Sequence, residues 1–99
     1  GLTHLAKVAG KEAAPGRVRV NALAPGGGET PVWDAVPMFA DRAKEIGREA
    51  AFAELAAMAT PLGRYATADE IAGQIAFLLS DQASTITGSV LVSDGGYTL

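Results

Sequence analysis

The sequence predicts an α/β protein whose two strands run parallel and belong to a larger sheet. Three observations lead there: a helix-and-strand pattern opens the chain, a second apolar strand lies near its end, and a long helical stretch separates them. Strands joined by such a crossover are parallel, and parallel sheets are covered on both faces. Because two strands cannot form a stable open sheet alone, we expect further strands from the same chain or from a partner.

The first helix and the first strand come from the opening residues. Apolar residues at helical spacing predict a helix with one buried face: Leu2, Leu5, Ala6, Ala9 and Ala13. Pro15 and Gly16 stop this helix. Residues 17–24 first alternate and then become continuously apolar, which predicts a strand that enters a core and ends at the Gly-rich loop after Pro25.

The middle of the chain is less regular. An Ala-rich, charged stretch between Phe39 and Met58 predicts one or two amphipathic helices on a flap. The apolar positions recur at near-helical steps: Phe39, Ala43, Ile46, Ala50, Ala53 and Ala57.

The last helix and strand have the clearest signals. Thr67 and Glu70 have the spacing of a capping box, which predicts a helix start. Its apolar stripe contains Ile71, Ile75, Leu78 and Leu79, and the helix should end near Ser80. Residues 89–93 predict the second strand, and the Asp94 turn follows it. We expect this turn to hold the strand end rather than a metal or a phosphate.

Composition excludes several classes of function. The 99 residues carry 8 Lys and Arg against 11 Asp and Glu, so no basic field attracts nucleic acid. No apolar run approaches the roughly 18 residues of a membrane span, so we expect a cytoplasmic protein that does not bind membranes. With no Cys and one His, the chain is expected to have no disulfide, thiolate metal site or Cys nucleophile. His4 is interpreted as a solvated helix residue.

Several motifs resemble one family. Residues 19–31 read RVNALAPGGGETP, which is similar to the RVNxxxPGxxxTP signature of the short-chain dehydrogenases/reductases. PLGR at 61–64, DEIA at 69–72, FLLSD at 77–81, ITG at 86–88 and DGG at 94–96 follow in that family's order. The resemblance implies that residues 1–99 are the carboxyl-terminal part of one doubly wound Rossmann domain that binds NAD or NADP.

By this resemblance the protein is an oxidoreductase that interconverts an alcohol and a carbonyl by hydride transfer, assembled as a homodimer or homotetramer. The family's catalytic Ser, Tyr and Lys are expected upstream of Gly1, so residues 1–99 alone should be inactive. An alternative is a truncated, inactive relative that serves as an oligomerisation or interaction module. A Tyr-x-x-x-Lys motif immediately before Gly1 would distinguish the enzyme from the module.

The resemblance also implies site residues. The loop that holds the nicotinamide would contain Pro25, Gly26, Gly27, Gly28 and Thr30, with Gly28 standing where the family usually has Ile or Val. The substrate loop would fall at residues 32–58 and present Val32, Trp33, Met38 and Phe39. These apolar side chains either line the substrate or dock the flap, and both roles are compatible. Arg64 is expected to be structural.

Overall fold

The computed structural model describes residues 1–27 and 35–99, which form two compact units. One unit contains Gly1–Pro25 and Ala68–Ser93, and the other contains Gly26–Thr67 and Asp94–Leu99. The elements in chain order are α1 (Leu2–Ala13), β1 (Ala22–Pro25), α2 (Pro37–Ile46), α3 (Arg48–Ala59), α4 (Ala68–Leu79) and β2 (Val90–Ser93). No helix in the described ranges is long and apolar enough to span a bilayer.

The two strands of the first unit pair in parallel, as predicted. Their register runs from Ala22 opposite Val90 to Pro25 opposite Ser93, so both carboxyl ends lie at one edge. β1 begins at Ala22, whereas the apolar pattern placed its start at residue 17. The difference arises because the preceding segment bonds partly to side chains: the amide of Val20 donates to the Thr87 hydroxyl at 3.1 Å.

A polar clamp formed by Arg19 and Asn21 joins the entry of β1 to the segment before β2. The side-chain Nδ2 of Asn21 donates to the Ile86 carbonyl at 2.9 Å, and its Oδ1 accepts from the backbone amide of Ser89 at 3.0 Å. The Arg19 guanidinium donates to the carbonyls of Leu78 at 2.8 Å, Ile86 at 3.3 Å and Ser80 at 3.3 Å. Since the last carbonyls of a helix lack partners within it, Arg19 also caps the end of α4.

The helices of the first unit leave large apolar side chains exposed. On α1 the buried residues are Ala6 and Gly10, whereas Leu2 and Leu5 are 51% and 61% exposed, so the predicted buried face is wrong for both leucines. The helix contacts both β1 and β2, and the residues that it buries are small ones rather than the leucines. α4 begins after Thr67 and ends at Leu79, as predicted, but none of its residues is buried.

The second unit is built around a helical hairpin of α2 and α3. Pro37 starts α2 where its missing amide costs no hydrogen bond, and Gly47, with φ +92°, separates the two helices. Phe39, Ala51 and Ala56 are buried, whereas Ile46, Ala50, Ala53 and Ala57 are exposed. The predicted apolar steps therefore hold for Phe39 at the start of α2 but fail for Ile46 at its end and for α3. For α3 the reason is that Gly47 breaks the helical phase, which the sequence pattern carried on without interruption.

Replacing Asn21 tests the polar clamp. Asn21→Ala removes two hydrogen bonds, the part-buried one to the Ile86 carbonyl and the exposed one from the Ser89 backbone amide, so we expect the free energy of unfolding to fall by about 1–3 kcal/mol. Urea denaturation of the complete gene product measures the change. Gln82→Ala removes an exposed amide as a control and should have little effect. Equal losses in the two variants would contradict the role of Asn21.

Candidate functional site: the carboxyl edge of the strands

The candidate site begins at the aligned carboxyl ends of β1 and β2. In open α/β sheets, ligands bind outside this edge. Pro25, the last residue of β1, is exposed, and Gly26 and Gly27 directly after it are half-buried. Among the other residues expected in the site, Gly28, Thr30, Val32 and Trp33 lie outside the described residues, so their placement stays a prediction.

Gly26 is held in the second unit by the ring of Tyr65. A Cβ atom at Gly26 would lie 2.7 Å from both Cδ1 and Cε1 of Tyr65 and 3.0 Å from Cβ of Asp94. Real Cβ atoms do not approach other atoms so closely, so glycine is required here unless the ring moves. Gly26 is therefore packed against an aromatic ring within the second unit.

Tyr65 is buried in a small aromatic cluster. Its ring centroid lies 6.2 Å from that of Phe52 and 6.5 Å from that of Tyr97, both in tilted orientations. Burial is the largest cause that raises the pKa of the Tyr65 hydroxyl, and the neighbouring Tyr97 and Asp94 raise it further. A proton-exchanging tyrosine needs the opposite direction at neutral pH. Tyr65 therefore stays protonated and acts as a packing group.

The Asp94 turn belongs to the same unit as Tyr65. Asp94 accepts from the Gly96 amide at 2.9 Å, the Thr98 amide at 3.2 Å and the Thr98 hydroxyl at 2.8 Å. The Thr98 hydroxyl is the largest cause that lowers the pKa of Asp94, the backbone amides lower it further, and burial opposes them. Both carboxylate oxygens are used within the turn, which favours a structural role over metal or phosphate binding.

The PLGR segment packs against the Asp94 turn. The Leu62 amide donates to the Gly95 carbonyl at 2.9 Å. Gly95 has φ +65°, and a Cβ there would collide with the Arg64 carbonyl, so this position also requires glycine. Arg64 itself donates to the Tyr65 carbonyl at 3.2 Å, in keeping with the structural role expected for it.

Two of the expected substrate-loop residues lie on α2. Phe39 is 4% exposed, and the Arg48 guanidinium carbon lies 5.8 Å from its ring centroid, so this side chain holds the hairpin together. Met38 is 71% exposed and lines a groove of about 410 Å³ between α2 and α3. In residues 1–27 and 35–99, no group of three or more His, Asp or Glu side chains is arranged to hold a metal ion.

Sequence reasoning missed three residues that organise these surroundings. Tyr65 follows the PLGR motif directly, and that position was its only signal. Arg19 lies within the RVN motif, yet its partners are 59 to 67 residues away in the chain. Arg42 joins α2 to α3 by donating to Glu54 at 3.0 Å, a contact that no helical spacing indicates.

Sequence comparison finds relatives that match along nearly the whole chain. A family model described as enoyl-(acyl carrier protein) reductase matches residues 1–98. The chain is 38% identical over 99 residues to the 3-oxoacyl-(acyl-carrier-protein) reductase of Thermotoga maritima, covering 100% of this chain and 35% of that protein. It is 40% identical over 98 residues to the cis-4-hydroxycyclohexanecarboxylate dehydrogenase of Sinomonas cyclohexanicum, covering 99% of this chain and 34% of that protein.

A solved structure has the same fold. The L-sorbose reductase of Gluconobacter frateurii, solved with NADPH and L-sorbose, superposes with a TM-score of 0.78 at 28% identity, covering 97% of this chain and 36% of that one. The parallel strands and their flanking helices thus form part of a Rossmann fold. The chain belongs to the short-chain dehydrogenase/reductase family. It spans about a third of the length of the relatives that it matches.

A substitution at Gly26 tests the contact with Tyr65. Gly26→Ala forces the ring or the loop to move, so we expect the free energy of unfolding to fall by about 1–3 kcal/mol. Gly73→Ala is the control, since a Cβ there meets nothing within 4 Å and alanine favours the helix. Thermal denaturation of the complete gene product measures both variants. A Tyr65→Ala background should reduce the cost of Gly26→Ala; an unchanged cost would contradict the contact.

Acid titration tests the Asp94 turn. Because folding lowers the pKa of Asp94 from its ordinary 3.8, the carboxylate stabilises the fold above that value. This contribution is lost as the pH falls through the lower, folded pKa. Between pH 6 and about pH 2, the free energy of unfolding should therefore fall less in Asp94→Asn than in the wild type. Asp81→Asn, at an exposed aspartate, is the control; identical pH profiles for wild type and Asp94→Asn would refute the assignment.

Proposed function

We propose that this chain forms the nicotinamide-binding edge and the substrate loop of an oxidoreductase that interconverts an alcohol and a carbonyl. The observation that carries the proposal is the parallel register, which aligns Pro25 with Ser93 at the carboxyl edge. Relatives named as reductases and dehydrogenases support the reaction class. The cofactor is NAD or NADP, and its bound nicotinamide ring supplies or accepts the hydride.

The residues present fit such a ring. Pro25 is exposed, and the half-buried Gly26 and Gly27 have no side chains, so no Cβ atom at these two glycines keeps a flat group away from the backbone. Within the second unit, Tyr65 and Asp94 pack closely against Gly26. Asp94 satisfies both of its oxygens internally, so its charge is not directed at an incoming phosphate. In our proposal, Gly28 presents backbone groups to the carboxamide, and Thr30 adds a hydroxyl.

The proton-transfer residues are proposed to lie outside residues 1–99. Among the tyrosines of this chain, Tyr65 has its pKa raised, which is the wrong direction for an acid/base at neutral pH. We therefore propose that residues 1–99 are inactive alone. We also propose that the complete gene product is a cytoplasmic homodimer or homotetramer. The alcohol or carbonyl substrate would meet the loop of residues 32–58 through Val32, Trp33 and Met38, while the buried Phe39 supports the helical hairpin of that loop.

The exposed apolar helix faces favour one alternative. α1 and α4 leave Leu5 and Leu79 at 61% and 79% exposure, which suits contact with more protein. An inactive interaction module would use these faces without binding a dinucleotide. Dinucleotide binding by the complete gene product therefore separates the two functions.

A cofactor titration tests the proposal. The complete gene product should bind NADH or NADPH, and Thr30→Ala should raise the dissociation constant about 2- to 10-fold through the loss of one hydrogen bond. Thr30→Ser keeps the hydroxyl and should retain most of the affinity. Nicotinamide fluorescence measures all three proteins, and residues 1–99 alone should show no binding. No binding by the complete product would refute the enzyme, and an unchanged constant in Thr30→Ala would remove Thr30 from the site.

A further inference from the structure

The groove between α2 and α3 combines an apolar wall with an excess of negative charge. Met38, Leu55 and Met58 contribute apolar surface, and the two methionines are 71% and 73% exposed. Its volume of about 410 Å³ is at the low end of small-molecule sites. Exposed methionines are adaptable in shape, so this wall suits a small apolar body without demanding one outline.

The charges at the groove are unbalanced. Asp41, Glu45 and Glu54 line it together with a single cation, Arg42, so the formal sum is one minus three, or −2. Arg42 donates to Glu45 at 2.6 Å and to Glu54 at 3.0 Å. Its guanidinium is therefore already engaged by two carboxylates, while Asp41 adds a charge that this ion pair does not neutralise. An anionic ligand would meet repulsion with no free cation from the groove lining to offset it.

We propose that this groove binds the apolar body of an uncharged substrate and rejects its anionic counterpart, with Asp41 and Glu54 as the residues that determine this specificity. The inference rests on the proposed function for its link to turnover, but the binding preference can be measured without catalysis. Charge at such a rim changes specificity more than it changes the affinity for a neutral ligand.

A matched pair of ligands tests the proposal: cis-4-hydroxycyclohexanecarboxylate and its uncharged carboxamide, which have nearly the same shape. Calorimetric titration of the complete gene product at low salt should give at least about 10-fold tighter binding of the carboxamide. Asp41→Asn and Glu54→Gln should each reduce this ratio to about 3-fold. Because these carboxylates are exposed, 1 M salt should also shrink the ratio.

Glu49→Gln is the matched control. It makes the same change of charge on α3, but Glu49 does not line the groove, so the ratio should stay unchanged. If Glu54→Gln fails to fold without its ion pair, Asp41→Asn still tests the charge because the Arg42 contacts remain. Equal affinity for the two ligands, binding of neither at millimolar concentration, or an equal effect of Glu49→Gln would overturn the proposal. Failure of cofactor binding instead refutes the proposed function, whereas the ratio of the affinities for carboxamide and carboxylate still decides the proposal about the groove.

Discussion

The polar clamp of Arg19 and Asn21 is the interaction on which the order of the first unit depends. Asn21 joins the entry of β1 to Ile86 and Ser89, on the approach to β2, so it sets the two strands side by side before their backbone ladder begins. A slip by one residue would exchange the two faces of each strand. The clamp prevents that slip, and as a result Pro25 and Ser93 end their strands together.

In the second unit, close packing at two glycines and around an aromatic ring holds distant segments together. Gly26 admits the ring of Tyr65, and Gly95 admits the Arg64 carbonyl, so segments far apart in sequence approach without side-chain obstruction. Buried Asp94 then satisfies three donors by itself. Such a turn keeps its shape through internal hydrogen bonds, and Gly26 packs closely against it.

Local signals in the sequence were sufficient for some features and insufficient for others. Thr67 marked the start of α4, and two apolar runs predicted the two strands, because these signals depend on near neighbours. The parallel direction followed from the long crossover between the strands. The buried faces of α1 and α3 were wrong at Leu5 and Ala53, since burial depends on which neighbour covers a helix. Within the candidate site, the motif indicated Pro25 and Gly26 but not Tyr65, whose role depends on contacts 39 residues away in the numbering from Gly26.

The proposed cofactor loop would use backbone groups, whereas the groove between α2 and α3 would use side chains, and these two modes of binding require different residues. A loop that presents its backbone needs small residues and firm support, which Gly26 and Tyr65 provide whatever the substrate is. The helices α2 and α3 are free of that demand, so their surface charges can differ without disturbing the support of the loop. Arg42 illustrates the separation: it pairs with Glu45 and Glu54 and thus joins the hairpin while leaving the groove negative. In our proposal, selectivity for substrate charge can therefore change by single substitutions on these helices without a change in the residues of the proposed cofactor edge.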